Sequence, residues 1–230
     1  MSRKKIVVFS GAGMSADSGL KTFRDSGGLW ENYNVYDVAT PEAFAKDPKM
    51  VLEFYNMRRK QALQAEPNEG HLLIAELEKD FNVSVVTQNV DNLHERAGST
   101  HVLHLHGELD KVRSEINPEY IISMNGDPIQ MGDTCPDGGQ LRPHVVWFGE
   151  DVPEYGNAVD LMREADFLIV IGTSLQVYPA AGLIHAVKPN CIGFYVDPKA
   201  EYIQEASHIK PIKAKAGEGM EIVRKQLSNL

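Results

Sequence analysis

The chain has 230 residues, enough for one large domain or one domain carrying a smaller insert. Apolar residues are 43% and charged residues 24% of it, which excludes disorder, collagen and coiled coil. Lys and Arg number 23 against 32 Asp and Glu, a net charge of −9; such a surface repels phosphate backbones and anionic lipid, so neither nucleic acid nor a membrane is expected as a partner.

The chain opens on MSRKK and a short apolar run that passes into glycines, unlike a secretion signal. That run, Ile6 to Phe9, reads as a buried strand. Residues 24–47 are rich in Gly, Asn, Asp and aromatics and read as a long loop. Asp47-Pro48 opens a helix over 48–65, as N-cap and first helical residue, and a second helix is expected over 68–79. Apolar runs at 83–86 and 102–105 are further strands. Residues 107–150 hold many Gly, Pro and Asp, and a loop this long is usually functional or builds a subdomain. Helices over 157–165, 179–187 and 217–228 then alternate with strands at 167–171 and 191–196. No apolar run approaches the ~20 residues that span a bilayer. With only two cysteines, Cys135 and Cys191, a reducing, cytoplasmic setting is expected. The alternation predicts an α/β fold, a Rossmann-type parallel sheet with helices on both faces plus a smaller inserted lobe.

Chemistry collects at the strand ends. After the first strand, Gly11, Gly13 and Ala16 fit the G-x-G-x-x-G/A fingerprint, whose small residues let backbone N–H groups approach a pyrophosphate. The acidic ribose partner normally found ~20 residues on is missing. Asp197, closing a late strand, is the candidate instead, which disfavours a hydride-transferring dehydrogenase. Gln88, Asn89 and Asp91 crowd the end of the 83–86 strand; helix capping explains one of them but not all three. His104 and His106 share one face of the next strand. His104 is read as structural, and His106, at the strand end, as a general base. Gly172-Thr173-Ser174 is another small, polar strand end.

Together these motifs resemble the sirtuin family of NAD-dependent protein deacylases, through GAGMSADSGLKTFR (11–24), TQNVDNLH (87–94), HLHGEL (104–109), LRPHVVWFGE (141–150) and GTSLQVYPAAGL (172–183). The resemblance implies NAD as cofactor and acylated lysine in proteins as substrate. It implies a large lobe of about 1–30, 80–106 and 150–230, and a small lobe of about 31–79 and 107–149. Gly11, Ala12, Gly13, Ser15, Phe23 and Arg24 would line the dinucleotide. Gln88, Asn89 and Asp91 would surround the nicotinamide and its ribose, with Asn89, Asp91 and His106 catalytic. Gly172, Thr173 and Ser174 would hold phosphate and ribose, with Asp197 near the adenosine ribose. Val145 to Gly149, including Trp147 and Phe148, would pair as a strand with the substrate peptide. The implied products are free lysine, nicotinamide and O-acyl-ADP-ribose.

Two departures refine the expectation. Most sirtuins hold a structural zinc with two C-x-x-C pairs; here Ser114 and Gly138 stand at two cysteine positions and Cys135 remains, so no zinc is expected. Cys135 would be a loosely buried remnant, and the lobe would pack around Ile121, Ile122 and Ile129. At 100° per residue Val51, Tyr55, Arg58 and Ala62 fall within about 60° of one another, which sets Arg58 in an apolar stripe beside a more exposed Arg59. Tyr55 and Arg58 match the Y-x-x-R pair of class III sirtuins, which bind acidic acyl groups, and Ala39 matches the small residue that widens their pocket. Succinyl and malonyl removal is therefore expected beside deacetylation. An ADP-ribosyltransferase and a non-catalytic NAD- or ADP-ribose-sensing module are the alternatives.

Overall fold

A computed structural model describes residues 3–21, 29–30, 33–124 and 126–229. Strand β1 (Lys5–Ser10) is buried from Ile6 onward. It ends at Gly11, where the chain enters a 3-10 helix over Ala12–Ser18, stopped by Gly19 in the left-handed region at φ 87°. Strands β2 (Leu29–Trp30) and β3 (Tyr33–Asn34) form a small antiparallel pair. Three helices follow, each opened by a side-chain cap: Asn34 for α1 (Val35–Val38), Thr40 with Pro41 for α2 (Pro41–Lys46), Asp47 with Pro48 for α3 (Pro48–Gln64). Helix α4 (Glu69–Glu76) starts with a capping box in which Asn68 accepts from backbone and His71 accepts from the Asn68 N–H.

The chain continues through β4 (Asn82–Thr87), α5 (Leu93–Ala97), β5 (Val102–His104), β6 (Gly107–Ser114), β7 (Ile121–Ser123), β8 (Leu141–Val145), α6 (Tyr155–Glu164), β9 (Phe167–Ile171), β10 (Ile192–Val196), β11 (Ile209–Ile212) and α7 (Ala216–Leu227). Six strands make a parallel sheet in the order β11-β10-β9-β1-β4-β5. Its alternating residues feed two cores. Ile6, Val8, Val85 and Ile169 meet α4 and α7 on one face, while Val7, Phe9, Leu168 and Val170 meet α6 and the 3-10 helix over Ala180–His185 on the other. The α/β expectation holds.

A second body, of three antiparallel strands in the order β7-β6-β8, packs against α1 to α3. It occupies the stretches read from sequence as loops. The expected boundary is corrected at α4: Leu73, Ile74 and Leu77 lie in the core of the large sheet, so residues 69–79 do not belong to the small lobe. The small lobe's core centres on Phe54, Tyr55, Val112, Trp147 and Ile129; Ile122 only flanks it and Ile121 is exposed, which corrects the expected trio. Helix 179–187 shortens to that 3-10 turn, and the missed β11 carries Pro211 at a sheet edge, where a missing N–H is tolerated.

Candidate active site

The chain runs from β1 outward to β4 and β5, then returns to β9 on the other side of β1. Ligands of open α/β sheets bind over such a reversal, at the carboxyl ends of the strands. Those ends carry Gly11 to Ser15, Thr87 to Asp91 and Gly172 to Ser174.

The glycines join two connections. Gly11 N–H donates to the Ile171 carbonyl at 3.0 Å and Gly13 N–H to the Gly172 carbonyl at 2.8 Å. A Cβ on Gly13 would lie 2.9 Å from Gly172 Cα, and one on Gly172, whose φ is +63°, would lie 2.1 Å from Met14 N. These two N–H groups are bonded to the end of β9, and the glycines are needed because two backbones touch. Ala12 is exposed beside them and Ser15 is buried. Phe23 and Arg24 lie outside the described residues.

Beside this contact Asn89 Nδ2 donates to Ser15 Oγ at 3.1 Å, and Ser15 Oγ donates to Asp91 Oδ2 at 3.0 Å. Burial pushes the Asp91 carboxyl up, against the Leu93 N–H and the Ser15 hydroxyl, which hold it down. Gln88 Nε2 donates to Thr173 Oγ1 at 3.1 Å and so ties β4 to β9. The Ser174 hydroxyl is buried without a hydrogen-bond partner among the described residues, a group left for a ligand to satisfy. Asp197 ends β10 at the same sheet edge, with Oδ1 accepting from the Lys199 N–H at 2.8 Å.

His106 Nδ1 lies 3.1 Å from the Gln88 carbonyl. A carbonyl only accepts, so Nδ1 carries the proton and Nε2 is the basic nitrogen. Burial holds the imidazole below its usual range, opposed by the Gln88 contact, so it is neutral at pH 7. Beneath the site the Ser10 hydroxyl donates to Thr87 Oγ1 at 2.9 Å and sits 2.9 Å from His94 Nε2. The His94 ring meets His71 edge-on at 4.8 Å. Sequence reasoning gave none of these four a role, although Ser10 and Thr87 are polar ends of apolar strands, the signal that marked Gln88 and Thr173.

The Sir2 family model matches residues 11–179. An NAD-dependent protein deacylase of Bacteroides thetaiotaomicron is 53% identical over 97% of this chain and 98% of its own. One of Helicobacter pylori strain J99 is 49% identical over 95% and 93%. The chain belongs to the Sir2 family. Among solved structures, a Sir2 homologue in complex with NAD superposes on this sirtuin with a TM-score of 0.84 at 38% identity, over 99% of this chain and 90% of that one.

The sirtuin's small lobe holds the other expected residues. Ala39, Tyr55, Val145 and Trp147 share its core. Trp147 Nε1 donates to the Tyr55 hydroxyl at 3.0 Å, and burial raises the phenol above its usual range. The Phe148 N–H donates to the Ala39 carbonyl at 3.0 Å, while the Phe148 ring is exposed next to Tyr36. Along Val145–Gly149, the segment expected to pair with substrate, several N–H groups are bonded within the chain. The Val146 N–H donates to the His106 carbonyl, and the Trp147 N–H to Glu150 Oε2. With Phe148 bonded to Ala39, three consecutive donors are internal. Gly149 follows at φ +92°.

Arg58 is buried, with Nη1 donating to Gln61 Oε1 at 3.3 Å, and its charge reaches both Tyr55 and Asp91. Arg59, expected to be more exposed, is the more buried of the two, at 1% against 7%. Its Nε donates to the Leu109 carbonyl at 2.6 Å and its Nη1 to Asn56 Oδ1 at 2.9 Å, so β6 captures it. Glu150, assigned no role from sequence, accepts from Arg113, Arg142 and the Trp147 N–H, and Arg142 stacks over the Trp147 ring at 3.3 Å.

At Ser114, expected from the resemblance to stand at a zinc-cysteine position, the hydroxyl accepts from the Ile116 and Asn117 N–H groups at 3.1 and 3.3 Å. Cys135 is buried, 3% exposed, not the loosely held remnant expected. Gly138 brings no side-chain donor. This donor set does not fit a tetrahedral thiolate site.

Proposed function

We infer that this sirtuin is an NAD-dependent protein deacylase that removes acidic acyl groups, succinyl and malonyl, from lysine as well as acetyl, and that its small lobe needs no zinc. NAD dependence rests on family membership and on the strand-end cleft, whose orphaned Ser174 hydroxyl and Gln88–Thr173 bridge suit a ligand rich in hydroxyls and phosphates. Bound NAD supplies the ADP-ribosyl group that leaves nicotinamide and receives the acyl group. Asn89 and Asp91, joined through Ser15, would orient its nicotinamide ribose. His106 Nε2 would take a proton from a ribose hydroxyl, being neutral at pH 7 and fixed by Gln88. No residue in this description requires a metal.

The observation that carries the acyl preference is a guanidinium buried beside an apolar wall. Arg58 stands one helical turn from Tyr55, and Tyr55 packs with Trp147 and Ala39. A carboxylate entering such surroundings needs a charge-assisted partner, and Arg58 offers a planar fork. Loss of that partner costs about 2–5 kcal/mol in binding. Arg58→Met is therefore expected to raise KM for succinyl-lysine peptide at least tenfold, roughly, while sparing acetyl-lysine. Equal losses on both would show that Arg58 only supports α3, and the acidic-acyl reading falls. His106→Ala is expected to lower turnover by about 10²–10⁴-fold on every acyl group.

A further inference from the structure

Two histidines on β5 and its extension face one loop, yet they are held differently. His106 has one ring nitrogen on a carbonyl, that of Gln88. His104 has both nitrogens on acceptors: Nδ1 lies 2.9 Å from the Asn89 carbonyl and Nε2 lies 2.8 Å from Glu95 Oε1 on α5. A neutral imidazole has one N–H and cannot satisfy both; the imidazolium can. The His104 side chain is only 6% exposed, so a failed bond there is not replaced by bulk water.

We propose that His104 is a positioning residue which, as an imidazolium held by Glu95, clamps the Asn89 carbonyl and so fixes the Asn89 amide against Ser15 and Asp91 for NAD binding. The inference rests on the reading of this cleft as the NAD site. The charged groups around His104 agree with it. Glu95 on α5 and Glu108 on β6 favour the cation. Asp91 is itself drawn toward its ionised form by that charge. Lys111 on β6 acts on Glu95 rather than on the ring. His94, whose protonation would compete, is held neutral by burial and by the charge of His104. Burial alone would lower the His104 pKa, but Glu95 and the Asn89 carbonyl outweigh it and the net shift is upward. The two strand-end histidines are thus driven apart, one toward a neutral base and one toward a fixed cation.

The test is steady-state deacylation with NAD as the varied substrate, from about pH 6 to 9, in the wild type, His104→Gln and Glu95→Gln. Loss of a charge-assisted hydrogen bond predicts a rise of about tenfold in KM for NAD in His104→Gln, with a much smaller change in kcat. In the wild type KM for NAD should climb as His104 deprotonates on the alkaline side. In Glu95→Gln that climb should begin at lower pH, and in His104→Gln it should vanish. An unmoved KM, or a climb at the same pH in all three proteins, overturns the proposal; so does a lowered melting temperature with an unchanged pH profile, the mark of a merely structural role. Should His104→Gln not fold, the displacement in Glu95→Gln decides alone. A wild type that releases no nicotinamide from NAD sinks the deacylase reading itself, whereas an active wild type with unmoved variants sinks only the clamp.

Discussion

Acid should weaken this sirtuin well above the carboxylate range, because His71 is buried neutral beside His94. Burial pushes the His71 imidazole down from 6.5 to about 4, with the Glu95 charge opposing. Its folded pKa is depressed, so its contribution is fully present above the unfolded pKa. That contribution is lost as pH falls from about 6.5 toward 4, where the unfolded chain binds a proton that the folded chain refuses. Between pH 7 and pH 5 this one group accounts for a loss of about 2 kcal/mol. His94 is depressed too, first by burial and then by the charge of His104, and adds to the loss. Urea midpoints measured at several pH values from 7 to 5, on the wild type and on His71→Gln, test this. The glutamine can still accept from the Asn68 N–H but cannot titrate, so its unfolding free energy should fall by about 2 kcal/mol less over that interval, with a correspondingly smaller drop in midpoint. Parallel pH dependences in the two proteins would refute the argument.

Three further outcomes are expected. Gly172→Ala combines a positive φ with a Cβ 2.1 Å from Met14 N and should cost more than about 2 kcal/mol, read by thermal unfolding. Glu150→Gln leaves Arg113 and Arg142 without their shared carboxylate and should lower stability by about 3 kcal/mol, read by urea unfolding. Elemental analysis should find no stoichiometric zinc, while Ser114→Ala, which deprives two backbone N–H groups of their acceptor, should cost about 1–3 kcal/mol in urea unfolding.

The large sheet was legible because its strands are uniform apolar runs: FLIVI at 167–171 is buried at every position, and no tertiary detail is needed to see that. The helix starts were equally local, since the Asp47 side chain caps α3 by accepting from the Met50 N–H three residues on. The strand-end residues could be chosen as candidates because polar groups interrupt those runs at one end. The strands of the small lobe were not legible. They are short and interrupted, as in LRPHV, and their ladder partners lie some 30 residues away in β6. The resemblance set α4 in that lobe, but its Leu73 and Ile74 pack in the core of the large sheet.

Local pattern therefore determined which apolar runs become buried strands, where the capped helices begin and which polar residues end those strands, for those depend on neighbours within a few residues. Tertiary structure decided what each group is paired with. Arg59 is buried because a carbonyl from β6 reaches it. Gly172 must be glycine because Met14 of another connection lies against it. His104 differs from His106 because α5 brings up Glu95. Burial and pairing set charge state and hydrogen-bond capacity, and both are properties of contacts between segments that the linear pattern does not contain.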